Sequence, residues 1–404
     1  MAHLSRLNVL AVVFDSLSAC DLNHHLDRLP TFRALMGDSH NFTNAYASCP
    51  EGSPARASLF TGLDMAAHGV WTDGVGLPKH NTLLPQMFGM QGYQSWLVGR
   101  RHLAGVAKWT TEHARFDEFH RFDWAHGPLH RSRQNAYLMW LEHTAPDLYA
   151  EVFPRQADAD DTHIPPAQRA AMAAVPDHLS FHAWVGDRVS QHMERAPFFG
   201  VAGFVVGHTM GAGGATTEAV DLKALMQADA ALAKILNVMP DPTAVVVTAA
   251  RGSVNDPAAG AMQDRAIKVP LLIRTPTREA RQVSEIVSTM DVAPTLYELA
   301  NVRPPHRVQG ASLLSSAPRG WALCRLRHPD HPAQTALIQG GWKLVIGHGP
   351  PEQAVLFDLN ADPEETNTLA EAPEHQKTLE SLLDRLIDAR VALEDRTEPR
   401  VASF

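Results

Sequence analysis

Four short apolar runs constrain the fold of this chain more than any other feature. They lie at residues 9–14, 201–206, 244–248 and 270–274, and none of them alternates apolar with polar residues. Strands of this kind are buried on both faces, as in a parallel sheet covered by helices. Helical stretches such as Leu222–Val238, with apolar residues at helical spacing, lie between the runs. The sequence therefore predicts an α/β fold with a central, mostly parallel sheet flanked by helices.

The last quarter of the chain predicts a smaller C-terminal region. Residues 336–346 and 354–359 indicate strands of a small sheet, and residues 374–390 have the pattern of an amphipathic helix. An insertion at about 101–176 is rich in His, Asp and Pro, which indicates loops that carry specificity or oligomer contacts. We therefore divide the chain into an α/β domain, residues 1–309, and a C-terminal subdomain, residues 310–404.

Composition restricts the partners and the compartment. The chain has 404 residues, of which 45% are apolar, and this is enough for a large core. A formal net charge of −9 argues against nucleic acid as a partner, since such proteins need a basic face. The N-terminal apolar run is too short for a signal sequence or a membrane span, so we expect a cytoplasmic protein without a membrane partner. The three widely spaced cysteines predict free thiols.

Several motifs follow one another along nearly the whole chain. They are Asp15-Ser16 after the first strand, GSPAR at 52–56, GRRHL at 99–103, His208 after the strand at 201–206, DVAPTL at 291–296 and LFDL at 356–359. In this order they resemble the landmarks of the sulfatase family, within the alkaline-phosphatase-like superfamily. The resemblance implies a site at the C-terminal edge of the parallel sheet, where open α/β sheets bind ligands.

One position departs from the family in a way that removes its chemistry. Where this chain has Gly52, the family has a Cys or Ser that is oxidised to formylglycine, whose hydrate is the nucleophile. Glycine has no side chain, so this nucleophile cannot form. Ser53, Glu51 and Cys49 lie nearby, but each would need a shifted backbone to replace it.

The metal position departs as well. The resemblance implies a divalent cation, usually calcium, which needs about 6–8 oxygen ligands. Asp15 and Ser16 are the residual ligands, whereas Ala250 and Arg251 stand where the family has metal-binding side chains. A guanidinium about 5 Å from a divalent ion would repel it by roughly 7 kcal/mol at an effective dielectric of about 20. We expect no metal or other cofactor, with calcium or another divalent ion as the alternative.

The orientation of Arg251 has two interpretations. It either points inward, pairs with Asp15 and supplies the positive charge that the resemblance assigns to a cation, or it turns to solvent.

The anion-binding residues of the family are better retained than its nucleophile and metal ligands. Arg56 occupies the family's signature position, Arg100 replaces a lysine, and His102 and His208 match substrate-facing histidines. With Arg251, Asp15, Gly52 and Ser53 these residues predict a pocket for an oxyanion. His102, His208 and Arg56 are also the candidate catalytic residues. The alternative for both histidines is an ordinary hydrogen-bonded side chain.

The 22 histidines also admit a relocated transition-metal site, since imidazole suits zinc, copper and nickel. No HExxH spacing is present, and histidines in variable loops are the simpler interpretation.

Three functional hypotheses follow. The leading one is a sulfatase-fold protein without sulfatase activity that binds a small anionic ligand, such as a sulfate or phosphate ester, or a protein partner. The second is a hydrolase or lyase, metal-independent or with an atypical metal, that acts on a sulfate, sulfonate, phosphate or phosphonate compound, with His102 or His208 as base. The third is a structural subunit, a homo-oligomer or a partner of an active paralogue.

Overall fold

The structure is a computed structural model that describes residues 6–105, 110–153, 166–195, 197–207, 220–253, 262–314, 319–329, 332–348 and 353–394. The strands in these ranges are β1 (Asn8–Asp15), β2 (His40–Tyr46), β3 (Gln94–Gly99), β4 (Arg121–Trp124), β5 (Phe198–Val205), β6 (Thr243–Ala249), β7 (Leu271–Arg274), β8 (Arg281–Ser288), β9 (Trp321–Leu326), β10 (Ala333–Gln339), β11 (Trp342–His348) and β12 (Gln353–Asp358). The α-helices are α1 (Ala19–His24), α2 (Pro30–Met36), α3 (Gly52–Thr61), α4 (Met65–His68), α5 (Leu84–Met90), α6 (Ala136–Thr144), α7 (Pro146–Val152), α8 (Pro166–Ala173), α9 (Phe181–His192), α10 (Leu222–Val238), α11 (Asp264–Ile267), α12 (Val292–Leu299) and α13 (Gln376–Ala392).

A large, mostly parallel sheet forms the centre of the molecule. Its strand order is β4-β3-β5-β1-β6-β7-β2-β8, and β1 lies between β5 and β6, parallel to both. Every residue of these three strands is buried, because helices cover both faces of the sheet. The predicted α/β class and the predicted strands β1, β5 and β6 are therefore confirmed.

The prediction that residues 270–274 form a parallel strand is wrong. Strand β7 is antiparallel to both β6 and β2. Its first residue, Leu271, pairs with Thr248 near the end of β6, so the chain returns into the sheet at the edge where it left. A parallel strand would require a crossover to the opposite edge.

A second sheet of four antiparallel strands follows, in the order β12-β11-β10-β9. The predicted strand region 336–346 is in fact a hairpin, because Gly340 and Gly341 have φ values of +59° and +85° and turn β10 into β11. Leu382 and Leu386 of α13 pack on one face of this sheet. The boundary at residue 309/310 stays a prediction.

The longest described helices, α10 and α13, have 17 residues each. No helix in the described ranges has both the length and the apolarity to cross a membrane.

A buried lysine joins the two sheets. Lys343 of β11 has a fully buried side chain, and its Nζ lies 2.5 Å from Oδ1 of Asp264 and 2.6 Å from Oε1 of Glu365. It also donates a hydrogen bond to the carbonyl oxygen of Met262. Because Asp264 lies in α11, which connects strands β6 and β7 of the central sheet, this ion cluster fixes the small sheet against the large one.

We expect Lys343→Met to lower the free energy of unfolding by about 3–5 kcal/mol, since it leaves two carboxylates without their shared cation. The matched control is Lys234→Met, because Lys234 forms its ion pair with Asp187 while 56% of its side chain is exposed. That change should cost about 1 kcal/mol or less. Equal effects of the two substitutions in urea unfolding would contradict the role of Lys343.

Candidate functional site

Asp15 ends the central strand β1 at the C-terminal edge of the sheet and is almost fully buried. Its Oδ1 lies 3.6 Å from Nη2 of Arg56, and its Oδ2 lies 3.4 Å from Nη1 of Arg100. Two guanidinium groups therefore face one buried carboxylate.

Arg56 reaches this point from the first turns of α3. The helix begins at Gly52, after the extended residue Glu51, and all of its residues are buried. Nη1 of Arg56 donates to the carbonyl oxygen of Arg100 over 3.2 Å. Its Nε and Nη2 have no hydrogen-bond acceptor among the described residues. The guanidinium therefore keeps donor capacity for a ligand in a buried position.

Arg100 and His102 follow β3 and share one side of the site. Nη1 of Arg100 donates to the carbonyl oxygen of His126 over 3.3 Å, and Nη2 lies 3.1 Å from Nδ1 of His102. Arginine can only donate, so Nδ1 of His102 is the acceptor and its neutral ring carries the proton on Nε2. Nε2 lies 3.8 Å from Oδ1 of the exposed Asp73.

Glu112 holds the backbone at His102. His102 has a φ of +57°, in the left-handed region that is unfavourable for a residue with a side chain. The carboxylate of Glu112 accepts the N–H groups of His102, over 2.9 Å, and of Leu103, over 2.6 Å. It also accepts hydrogen bonds from Arg101 and from Nε1 of Trp124. This buried network holds the backbone of His102 in its left-handed conformation and thereby sets the direction of the His102 ring.

The His102 ring packs directly on the α-carbon of Gly52. A Cβ built on Gly52 would lie 2.8 Å from Nδ1 and 3.0 Å from Cε1 of His102. Distances under 3.0 Å are essentially never found for real Cβ atoms, so any side chain at position 52 would have to displace the ring. Arg100 and Glu112 hold the ring and its backbone in place.

Burial and the arginines set the protonation states. Burial, followed by the positive charge of Arg100, lowers the pKa of His102 to about 4, so the ring is neutral at pH 7. Burial alone would raise the pKa of Asp15, but Arg100, Arg56 and Arg251 outweigh it and hold that pKa below its ordinary value. Burial lowers the pKa of Arg56 to about 10, and Arg56 therefore stays protonated.

The residues around Asp15 do not fit a divalent cation. Both oxygens of Asp15 face guanidinium groups, and Ala250, next after β6, has no ligand atom. The described residues contain no group of three or more His, Cys, Asp or Glu that could hold a metal ion. The donor set is thus far from the oxygen cage that calcium requires.

Residues 7–145 match the family model described as Sulfatase, and residues 259–320 match that of the N-sulphoglucosamine sulphohydrolase C-terminal region. The chain is 23% identical to the uncharacterized sulfatase YidJ of Escherichia coli (strain K12), over 88% of this chain and 80% of YidJ. It is 24% identical to the ulvan-active sulfatase of Formosa agariphila, over 95% of this chain and 81% of that enzyme. Residues 7–145 are thus a match to the sulfatase family, and sulfatases resemble this chain over most of its length.

Solved structures show the same fold. The phosphonate monoester hydrolase of Agrobacterium radiobacter has a TM-score of 0.76 at 18% identity, over 96% of both chains. The phosphonate monoester hydrolase SpPMH of Silicibacter pomeroyi has a TM-score of 0.77 at 21% identity, over 97% of this chain and 96% of that one. At these identities the likeness shows only the fold, and the activity must be inferred from the residues of the site.

The predicted site residues fall into three groups. Asp15, Gly52, Arg56, Arg100 and His102 come together as expected. Arg251 is half-buried, and its charge lowers the pKa of Asp15 from a position just after β6. His208 lies outside the described residues.

The remaining candidates have other surroundings. Ser16 is buried with a φ of +60°, and its carbonyl oxygen accepts a hydrogen bond from Ser253. Ser53 is buried, and its N–H donates to Asp73. Burial raises the pKa of the Cys49 thiol well above its ordinary value, which disfavours the nucleophilic thiolate. The side chain of Glu51 accepts the N–H of Asp73.

Sequence reasoning missed three residues of the site, namely Asp73, Glu112 and His126. The ring of His126 packs edge-on to His102 at 4.9 Å, and its carbonyl oxygen binds Arg100. The signal for His126 was its place just after β4, at the sheet edge where ligands bind. Asp73 and Glu112 lie in loops and carry no local signal.

We expect Arg100→Gln to raise the pKa of His102 from about 4 toward its ordinary 6.5, because a nearby positive charge is removed. An NMR titration of the histidine rings measures this, and His68 is the internal control. Burial alone lowers the pKa of His68 to about 3, so this value should not move. If the pKa values of His102 and His68 moved equally, or if neither moved, the assignment of the His102 shift to Arg100 would be contradicted.

The lowered pKa of His102 also gives stability a pH dependence. Between about pH 6.5 and 4 the unfolded chain binds a proton at this residue and the folded chain does not. Its contribution to stability is therefore complete above about pH 6.5 and decreases as the pH falls through that window. In Arg100→Gln, the lower limit of this pH window should rise. Urea unfolding measured at a series of pH values tests this.

Proposed function

We propose that this protein binds a small oxyanion-bearing ligand, such as a sulfate or phosphate ester, and does not perform the sulfatase reaction. The observation that carries the proposal is the contact between Gly52 and His102. The position where the family forms its nucleophile has no side chain, and the space for one is filled by an imidazole ring.

Unused donors of the buried arginines favour an anionic ligand. Arg56, Arg100 and Arg251 face the carboxylates of Asp15, Asp73 and Glu112, so the charges themselves are balanced. Nε of Arg56 and Nε of Arg100 are buried donors without an acceptor among the described residues, and Nη2 of Arg56 is 3.6 Å from Oδ1 of Asp15, beyond hydrogen-bond distance. Charge-assisted hydrogen bonds to sulfate or phosphate would satisfy such donors. The spare arginine donors therefore support an oxyanion as the ligand.

A hydrolase or lyase is less well supported. A general base needs an accessible lone pair, and that of His102 lies on Nδ1, where Arg100 donates to it. His208 is the remaining candidate base of this hypothesis. Turnover of aryl sulfate or phosphonate esters that is lost in His208→Ala would support the enzyme over the binding protein.

A protein partner remains compatible with the proposal when the partner presents an anionic group. Pairing with an active paralogue, or self-association, would use surfaces away from Asp15. Light scattering of the protein alone and mixed with a paralogue distinguishes these assemblies from a monomer that binds small ligands.

Titration calorimetry with inorganic sulfate tests the oxyanion site. We expect saturable binding that weakens about tenfold to a hundredfold in Arg100→Gln, because a buried charge-assisted hydrogen bond is lost. Arg188→Gln is the control, since Arg188 is bonded to Gln191 on the exposed side of the molecule. Absent sulfate binding would refute the proposal, as would calcium-dependent sulfatase turnover that follows the purified protein.

A second prediction concerns Gly52 itself. We expect Gly52→Ala to lower the free energy of unfolding by about 1–3 kcal/mol, because the new methyl group collides with His102. Gly127→Ala is the matched control, since a Cβ at Gly127 meets nothing within 4 Å and its φ lies outside the left-handed region. A stabilised Gly52→Ala protein, as expected for alanine in an unhindered helix, would show that His102 leaves this contact freely.

A further inference from the structure

A cavity of about 370 Å³ lies at the C-terminal end of α3, whereas Gly52 lies at the N-terminal end of this helix. The ten residues of α3 span about 15 Å at a rise of 1.5 Å per residue. Among the described residues, the lining of the cavity has no member in common with the group around Asp15, Arg56 and Arg100. The cavity is therefore a candidate site of its own, independent of the proposed oxyanion site.

One part of the lining is apolar. Leu63 follows α3, Met87 belongs to α5, and Pro304 and Pro305 follow α12. Leu63 is buried, and Met87 packs against the main hydrophobic core. The two proline rings also restrict the backbone that carries them. A ligand with an apolar body would gain free energy by covering this surface.

The exposed part of the lining is positively charged. Arg303 and Arg307 line the cavity, and no Asp or Glu of the described residues lines it with them. Arg303 is exposed and Arg307 is half-buried. Two guanidinium groups beside an apolar surface attract an anion and offer it directed hydrogen bonds. The charge therefore favours a ligand that carries its anionic group at the open side.

A buried amide supplies a hydrogen-bond acceptor. Asn81 lines the cavity and is 3% exposed. Its Nδ2 donates to the carbonyl oxygens of His68, over 2.9 Å, and of Pro78, over 3.3 Å. These bonds fix the orientation of the amide, because a flip would turn Oδ1 toward two other acceptors. Oδ1 is then a buried acceptor without a donor among the described residues.

The neighbouring hydroxyl of Thr61 has its partners already. Its Oγ1 donates to the carbonyl oxygen of Ala57 over 2.7 Å and accepts the N–H of Leu63 over 3.2 Å. Asn81 is therefore the group that gains a hydrogen bond when a ligand presents an N–H or O–H group.

We propose that this cavity binds a small organic anion whose ring-containing apolar body carries an N–H or O–H donor at the end remote from the anionic group. The body covers Leu63 and Met87, the donor pairs with Oδ1 of Asn81, and the anionic group lies at Arg303 and Arg307. An apolar cavity of about 150 Å³ holds a benzene molecule, so this cavity has room for one ring with a short side chain or for two fused rings. Hydroxyaryl and indolyl carboxylates have this form.

Four related compounds test the proposal, each titrated calorimetrically into the full chain. They are para-hydroxycinnamate, cinnamate, para-methoxycinnamate and para-hydroxycinnamamide. The hydroxyl compound should bind about two- to tenfold tighter than cinnamate, because its O–H pairs with Asn81. The methoxy compound cannot donate and should lose at least this factor. The uncharged amide should bind about two- to fivefold more weakly than the carboxylate, and this difference should decrease at high salt.

Two methionines of α5 give a matched pair of variants. Met87 lines the cavity, whereas Met90 is 71% exposed and does not line it. Met87→Trp should weaken binding of the whole series at least about tenfold, because the larger ring fills the space that the probes need. Met90→Trp should leave the series unchanged. The affinity for inorganic sulfate should be the same in both variants, since Arg56 and Arg100 lie elsewhere.

A substitution at the exposed Arg303 tests the charge without disturbing the core. Arg303→Gln should reduce the preference for the carboxylate over the amide and leave the gain from the hydroxyl group unchanged. Arg188→Gln is again the control and should change neither ratio. These ratios can be measured even if Met87→Trp does not fold.

Three results would overturn the proposal. Equal affinities for the hydroxyl, methoxy and unsubstituted compounds would refute the role of Asn81 and with it the ligand class. Binding that survives in folded Met87→Trp would show that the probes lie outside this cavity. Absent binding of all four compounds would refute the site, while the sulfate titration would still decide the oxyanion site separately.

Discussion

The burial of one negative charge at the end of the central strand governs the structure of this site. Strand β1 is covered on both faces, so Asp15 emerges into a region that water hardly reaches. A carboxylate in such a place is stable only with a close positive partner. Here Arg56 and Arg100 approach both carboxylate oxygens. These two ion pairs are part of the folded core.

Gly52 and Arg100, which stands where the family has a lysine, are physically linked through His102. Arg100 donates to its ring, and that ring occupies the space beside Gly52. The Glu112 network then holds the backbone of His102 in a left-handed conformation. An arginine at position 100 and a glycine at position 52 therefore fit one arrangement. Changing position 52 alone would disturb the histidine, its arginine and, through them, the partners of Asp15.

Local patterns carried the prediction of the central sheet and of the residues that come together at its edge. Apolar runs that do not alternate with polar residues predicted the strands β1, β5 and β6. The order of the sulfatase-like motifs predicted that Arg56, Arg100 and His102 lie near Asp15. The direction of β7 was mispredicted because it depends on where the preceding connection re-enters the sheet, which apolar composition does not encode. Glu112 and Lys343 act through contacts with residues distant in the chain or in another element, so their local sequence contains no sign of them. The turn at Gly340-Gly341 was readable in principle, since paired glycines favour a two-residue hairpin.

Fixed arginines also change what the site can do with an anion. A bound divalent ion polarises its ligand and can activate a coordinated water, whereas a guanidinium remains protonated and offers only directed hydrogen bonds. The pKa of Arg56, about 10 despite burial, keeps it in that role at neutral pH. Such donors recognise an oxyanion by its charge and by the directions of its oxygen atoms. Discrimination among oxyanion-bearing ligands must then come from contacts to the group that carries the oxyanion.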